Sequence, residues 1–265
     1  MRLANKRIFH TSLSSALICI ALSGYCTADE GQLKLSTGLD YSSGDYGDSI
    51  DTDIIYVPFS VSYKSGLWTG KVTAAWLSID GPGNVIGGGD GGVILPGNNN
   101  TVARTESGLG DVWTSLSYEL QSFPAELGYL DITGKIKIPT ADEKKGLGTG
   151  ETDYTAQLDY AYSAGDFTPL ATIAYKIKGD PSGSDLDNVL YLSAGVDWRN
   201  SELTHYGLTL DFQEASTNNV DDSLELFTYM NYKLSTLWSL TPYLYFGLSE
   251  SSPDFGGGLQ ITYKP

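Results

Sequence analysis

Residues that could carry out catalysis are few in this sequence. After residue 28 the chain contains one histidine, His205, and no cysteine, because Cys19 and Cys26 both lie earlier. A hydrolase of the Ser–His type needs its histidine beside a serine and an orienting acid, and a membrane lipid hydrolase needs them at the outer rim, facing lipid. The alternation of residues 203–213 places His205 on a polar face near a short connection instead. We predict a hydrogen-bonded histidine and no catalytic residues. No zinc, nucleotide or phosphate-loop motif occurs, so no metal or cofactor is expected.

Charged side chains recur at every second position in several segments. In residues 126–138, Asp131, Lys135 and Lys137 alternate with leucine and isoleucine. A strand sorts these two sets onto opposite faces, which a helix cannot do. The residues that such alternation predicts to line a polar interior are Lys71, Asp111, Trp113, Asp131, Lys135, Lys137, Asp159, Tyr191, Asp211, Phe227, Tyr229, Tyr243 and Tyr245.

These interior charges have two interpretations. Opposite charges across a narrow water-filled pore would create a transverse field that orders polar solutes and disfavours purely apolar ones. In a small barrel the same residues would pair as salt bridges and fill the lumen. The sequence leaves both open.

Aromatic residues form a second interior group. Phe227 and Tyr229 lie in one segment and Tyr243 and Tyr245 in the next, all on the polar face. Cross-strand neighbours at this spacing touch each other. They would either offer ring faces to planar solutes or pack the lumen.

Twelve segments show this period-2 alternation, each close to the roughly 9–11 residues of a tilted transmembrane strand. They are 32–41, 54–63, 67–79, 109–120, 126–138, 152–162, 166–177, 188–198, 203–213, 223–233, 237–247 and 255–263. The connections alternate between long and short, which is typical of barrels with tight periplasmic turns and long outer loops. The sequence therefore predicts an all-β fold, an antiparallel transmembrane β-barrel of about twelve strands with both termini in the periplasm.

The first 28 residues are typical of a signal peptide. Three basic residues precede an apolar stretch over about 13–22, and small residues end it at Ala28. Cys26 would also permit a lipoprotein signal, which the bulky Tyr25 before it disfavours. We predict a signal peptide over residues 1–28, a barrel over 29–265, and export to the bacterial outer membrane.

The net charge of the chain limits the classes of partner that it can bind. Residues 29–265 contain 13 basic and 32 acidic residues, a formal net charge of −19. Such a chain repels nucleic acid. The expected partners are outer-membrane lipid and lipopolysaccharide, a small-molecule solute and, during biogenesis, periplasmic chaperones and the barrel assembly machinery.

The longest predicted connection, 80–108, is unusually apolar for an exposed loop. Val85, Val93 and their neighbours Ile86, Ile94 and Leu95 lie among glycines and asparagines. One hypothesis is that this loop folds into the barrel and narrows it. The alternative is a mobile outer loop in contact with lipopolysaccharide.

Two segments resemble a known family. They are SGLGDVWTSLSYEL (107–120) and GKIKIPTADEKKGLGTGETDYTAQLDYAY (134–162). The Gly-Asp strand opening, the lysine-rich strand ending in Pro-Thr and the loop ending in GLGTG resemble the outer-membrane family named after the MetA pathway of phenol degradation. Ala141 departs from that pattern, which has glycine there.

The resemblance implies a barrel that passes aromatic or other hydrophobic small molecules, and it implies no catalytic residues. We therefore expect an outer-membrane channel of this kind and not an enzyme. The alternatives are a structural or assembly-linked barrel with a filled lumen and, less favoured, an outer-membrane lipid hydrolase.

Overall fold

The computed structural model describes residues 31–89, 92–95, 102–218 and 220–265, together with two three-residue strands, Arg7–Phe9 and Ala21–Ser23, which pair with each other. Apart from those two strands, the predicted signal peptide and its cleavage point lie outside the described residues.

The alternating segments form one closed antiparallel sheet. In chain order its strands are β1 (Gln32–Gly44), β2 (Thr52–Ser65), β3 (Trp68–Gly81), β4 (two segments, Arg104–Leu109 and Val112–Glu119), β5 (Tyr129–Ile138), β6 (Asp153–Ala161), β7 (Phe167–Ile177), β8 (Val189–Arg199), β9 (Thr204–Gln213), β10 (Ser223–Lys233), β11 (Trp238–Gly247) and β12 (Phe255–Tyr263). Each strand pairs with its neighbours in sequence, and β12 pairs with β1. The prediction of a twelve-stranded β-barrel is confirmed.

The connections fall into two sets, one at each end of the barrel. Short connections, such as residues 66–67 and 234–237, join the strands at one end, which we call the short-turn end. The opposite end, the long-loop end, carries residues 82–103, 139–152 and the other long connections. The barrel begins at Gln32 and finishes at Tyr263, both at the short-turn end.

The predicted bounds were wrong mainly at the long-loop end. The first strand reaches Gly44 instead of residue 41, and the fourth begins at Arg104 instead of residue 109. Arg104–Leu109 has no apolar alternation to reveal it, yet it pairs with the last residues of β3. The strand is interrupted after Leu109, where the Gly110 amide donates to the Ala75 carbonyl at 2.9 Å. The predicted loop 80–108 is shorter as a result.

The outward face of the barrel is apolar and carries an aromatic belt. Phe59, Leu244 and similar side chains on this face are about half exposed to the surroundings. Trp68, Trp198 and Trp238 all lie at the short-turn end, also exposed. Tryptophan at this height and an apolar band above it are typical of a wall that meets a bilayer.

Helical structure is minor. The 3₁₀ turns that lie wholly within the described residues are Ala125–Leu127 and Glu143–Lys145. Within the part of the chain that the structure describes, no helix has the length and apolarity to cross a membrane.

The loop between β3 and β4 folds inward. Its residues Val85–Ile86 pair with Val93–Ile94 to form a small hairpin. Val85 joins a buried apolar cluster at the long-loop end, whose members are Tyr46, Ile54, Tyr56, Ala75, Leu77, Ile79, Val85 and Leu147. Burial of these side chains removes apolar surface from water, which is the force that holds the hairpin against the inner wall. The described part of the loop therefore agrees with the hypothesis of inward folding.

Candidate functional site

The predicted interior residues that belong to strands have the inward parity of those strands, and Asp111 lies in the break between the two segments of β4. The structure distributes them among separate groups. Lys137 and Asp111 belong to an ion network near the long-loop end, and Trp113 and Asp111 both line a small space there. The aromatic residues of β10 and β11 form a panel on the opposite arc of the barrel.

The ion network joins β5 to β6 and to the two loops above them. Lys137 and Asp153 lie directly opposite each other in the register, with Nζ 2.9 Å from Oδ2. Lys178 Nζ approaches the same oxygen at 3.3 Å, and Asp111 lies 3.8 Å from Lys137 Nζ. Lys137 also donates to Thr149 Oγ1 at 2.9 Å. The lysine and Asp153 are almost free of solvent contact, so here the charges pair and fill the lumen.

Asp111 also connects the two segments that carry the family resemblance. Its Oδ1 accepts the amides of Thr140 and Ala141, each at 3.0 Å. Thr140 Oγ1 donates to the Gly110 carbonyl at 3.0 Å. Ala141 takes the place of the expected glycine without strain, since its φ is not positive, and its methyl group packs on the apolar cluster.

A row of carboxylates crosses β4, β5 and β6 below this network. Asp131 lies directly opposite both Glu119 and Asp159. Lys64 pairs with Glu119 at 3.4 Å, and Thr172 donates to Asp159 at 2.7 Å. Lys71 and Lys135 lie on the inner face of β3 and β5 in the same arc. From mid-height to the short-turn end, this arc of the barrel is therefore polar and lined by both signs of charge.

Another polar group lies on β7, β8 and β9. Tyr191 donates to Asp211 at 3.1 Å. Lys176 lies 5.2 Å above the centre of the Tyr191 ring and donates to Gln213 at 2.7 Å.

The aromatic panel consists of Phe227, Tyr229, Tyr243 and Tyr245. The Phe227 ring lies 5.6 Å from that of Tyr243 and 6.0 Å from that of Tyr229, centre to centre, so the predicted contact is confirmed. No ring is more than 3% exposed. Tyr245 donates to Asp40 at 2.9 Å at the upper edge, and Tyr229 donates to Asp197 at 3.0 Å at the lower edge.

Glycines in the neighbouring strands hold the tyrosine rings flat against the wall. Tyr229 lies directly opposite Gly207, and Tyr243 lies opposite Gly258. A methyl group added at either glycine would collide with the paired ring. The tyrosine rings therefore pack directly on the backbone of these glycines, in space that a side chain would fill.

His205 lies at the short-turn end, as its sequence position predicted. Its Nδ1 is 3.1 Å from Asp197 Oδ1, and both side chains are fully buried inside the wall. The other oxygen of Asp197 accepts Tyr229, so the histidine belongs to a packed polar group and faces no lipid. Across the described ranges, no three acidic, histidine or cysteine side chains lie close enough together to hold a metal ion.

A cavity of about 100 Å³ opens at the long-loop end. Its walls come from Asp40, Tyr46, Tyr56 and Glu225, and Tyr245 of the panel also lines it. The inward hairpin, including Val85 and Val93, supplies another part of its lining. Tyr46 is in the loop after β1, where burial raises the pKa of its hydroxyl well above the ordinary value.

Solved structures share this architecture. The COG4313 outer membrane channel from Pseudomonas putida F1 is 15% identical, with a TM-score of 0.64 over 89% of this chain and 96% of that chain. The NanC porin is 12% identical, with a TM-score of 0.58 over 87% and 100%. The translocator domain of the autotransporter NalP from Neisseria meningitidis is 11% identical, with a TM-score of 0.55 over 88% of each chain.

The chain has the fold of an outer-membrane β-barrel. At these identities the likeness establishes the fold alone, and that fold is the one which the sequence resemblance implied. No family model matches the sequence, and no curated protein matches it.

The sequence did not indicate which residues of the connecting loops point into the barrel. Tyr46, Leu147 and Thr149 come from connections, where no periodicity indicates a direction. Lys178 follows the last residue of β7 and so also falls outside the alternating pattern. Leu77 and Ile79 were missed for a different reason, because near the end of β3 the apolar residues face inward, whereas the polar Ser78 and Asp80 take the outward positions.

Proposed function

We propose that this protein is an outer-membrane channel for the passive passage of small aromatic or hydrophobic molecules. The observation that carries the proposal is the continuity of the aromatic panel with the cavity at the long-loop end. Tyr245 belongs to both, and the panel extends from there to Tyr229 and Asp197 near the opposite end. The sequence resemblance supports the same class of solute. A path of aromatic faces suits planar molecules because rings stack in offset or tilted pairs.

The structure describes a closed state of such a channel. Tyr245 meets the cavity but is only 1% exposed, so a solute in the cavity cannot pass along the panel until neighbouring groups move. The hairpin is the group best placed to move. Its Gly87 amide donates to the Gly146 carbonyl at 2.9 Å, and Thr217 donates to the Ile94 carbonyl at 3.1 Å. These few bonds and the apolar contacts around Val85 hold it across the cavity.

Flux measurements in liposomes test the proposal. Entry of neutral aromatics is compared with entry of sugars of matched size, and the ratio of aromatic to sugar flux is the quantity of interest. We expect a high ratio for the wild type, a lower ratio for Phe227→Ala, and no change for Phe246→Ala, which alters a residue on the lipid face. A ratio near one in the wild type, or the same ratio in both variants, would contradict aromatic selectivity.

A structural or assembly-linked barrel with a filled lumen is the second candidate. The buried ion pair of Lys137 with Asp153 favours it, since these side chains occupy space that a pore needs. This candidate predicts no flux of any solute and no ion current, even when the hairpin is removed.

We also propose that residues 1–28 are cleaved, that periplasmic chaperones and the barrel assembly machinery deliver the chain, and that both termini face the periplasm. The even number of strands and the short turns at one end support this orientation. Amino-terminal sequencing of the protein from outer membranes should begin at Asp29. We propose no catalysis: lipid cleavage by the wild type that is lost in His205→Gln would show otherwise.

A further inference from the structure

The cavity at the long-loop end has an acidic lining. Four of its lining residues are carboxylic acids, Asp40, Glu214, Asp221 and Glu225, and none of the lining residues that the structure describes is basic. Asp221 is exposed, so the cavity is reached from the long-loop side. An acidic concavity with low-dielectric walls attracts positively charged solutes.

Glu225 lies in an unfavourable position for a carboxylate. It is directly opposite Asp211 in the register of β9 and β10, and like charges directly opposite each other destabilise a sheet. Asp211 has hydrogen-bond donors in Tyr191 and Thr209. Asp211 and Asp40 both act on Glu225 with like charge, and Lys176 acts on it with opposite charge from β7, where its ammonium group donates to Gln213.

Asp40 is a second acid whose bonding is incomplete. Only 5% of this residue is exposed, its Oδ1 accepts Tyr245, and the Tyr243 hydroxyl also acts on this carboxyl group, but among the described residues no donor satisfies its Oδ2. A buried carboxylate oxygen without a protein donor is costly, so an atom of this kind beside a cavity favours a solute that donates hydrogen bonds or carries positive charge.

The remaining walls indicate what kind of cation fits. Tyr46, Tyr56 and Tyr245 contribute ring surface, which attracts cations and packs against apolar groups. Among the described residues, no group of three acidic, histidine or cysteine side chains could hold a metal ion, so these acids do not favour a bare metal cation. A larger organic cation, with a charged head and a flat or apolar body, satisfies both features. The cavity, about 100 Å³, is somewhat smaller than the roughly 150 Å³ that holds benzene, so part of such a solute would extend through the open side.

We propose that this cavity binds small organic ammonium ions, with Glu225 and Asp40 facing the ammonium group and the three tyrosines facing its body. The inference rests on the proposed channel function and defines the solute class that enters from the long-loop side. Selectivity then comes from charge at the entrance and from the aromatic panel below it.

Two measurements on the protein purified from outer membranes test the site. The first is block of the potassium current in planar bilayers by benzylammonium, compared with benzyl alcohol and benzoate. The second is calorimetric binding of benzylammonium to the protein in detergent, which does not depend on conduction. Glu225→Gln and Asp40→Asn remove the acids, and Glu250→Gln, an exposed glutamate in the last long loop, is the matched control.

We expect benzylammonium to block and bind at concentrations about tenfold lower than benzyl alcohol, and benzoate to have no effect. Glu225→Gln should raise the half-blocking concentration about tenfold. Glu250→Gln should leave it unchanged. Current without preference for benzylammonium overturns the inference and leaves the channel proposal intact. Binding that Glu225→Gln abolishes, in a protein that passes no current, supports the site and overturns the channel instead.

Discussion

Lys137 and Asp153 face each other across β5 and β6 and form an ion pair of 2.9 Å from which solvent is excluded. The pair is the centre of a network that extends upward to Thr149, in the loop after β5, and to Lys178, in the loop after β7. Its geometry therefore fixes where residues 139–152 lie. Gly146 of that loop accepts a hydrogen bond from the inward hairpin, so the pair also supports the closure of the long-loop end.

Replacing Lys137 by methionine should destabilise the barrel by about 3 kcal/mol, because it leaves the buried Asp153 with less compensation. The free energy of unfolding can be measured by urea titration in detergent micelles, followed by tryptophan fluorescence. Lys144→Met is the control, since Lys144 is an exposed lysine in the loop that follows β5, residues 139–152. Equal stabilities for the two variants would mean that the network contributes nothing.

The hairpin should control conductance. Val93 is 2% exposed inside the long-loop end, whereas Val102 of the same connection is 66% exposed. A carboxylate at Val93 cannot stay buried among apolar groups, so Val93→Asp should release the hairpin and raise the single-channel current. Val102→Asp should leave the current at the wild-type value. Deletion of residues 84–98 should have a larger effect in the same direction, and an unchanged current after that deletion contradicts a gating role.

The parts of the fold that repeat every two residues could be predicted from the sequence, because a strand fixes the side to which each residue points. Tyr229 and Tyr243 were placed on the inner face and in contact for this reason. The same alternation could not show that their rings lie on Gly207 and Gly258, since this depends on the register between strands. It also could not reveal Arg104–Leu109, which is polar and gains its structure from pairing with β3.

Loop contributions to the candidate site were beyond prediction for a related reason. Tyr46 and Leu147 are buried by contacts between segments that are far apart in the chain. The apolar character of the hairpin residues was the one usable signal, because exposed valines and isoleucines in a loop require an explanation. That signal predicted inward folding but could not identify Tyr56 and Leu77 as the surface that receives the hairpin.

The orientation in the membrane can be tested by cysteine labelling, because the predicted mature chain contains no cysteine. Ser182 is exposed in the long loop after β7, and Thr236 is exposed in the short turn before β11. With the termini in the periplasm, Ser182→Cys should react with a membrane-impermeant maleimide in intact cells and Thr236→Cys should not. Both should react after the outer membrane is permeabilised. The opposite pattern in intact cells would reverse the proposed orientation.

The packing of the Tyr229 ring against Gly207 can be tested by substituting two strand glycines, one that faces the ring and one that faces open space. An added methyl group at Gly207 collides with the Tyr229 ring, whereas at Gly134 of β5 it meets open space. Gly207→Ala should therefore displace Tyr229, break its 3.0 Å hydrogen bond to Asp197 and lower the free energy of unfolding by about 1–3 kcal/mol. Gly134→Ala should change that free energy by no more than about 0.5 kcal/mol. Urea titration of the two variants decides the question, and equal stabilities would show that the ring is not held against Gly207 in the folded barrel.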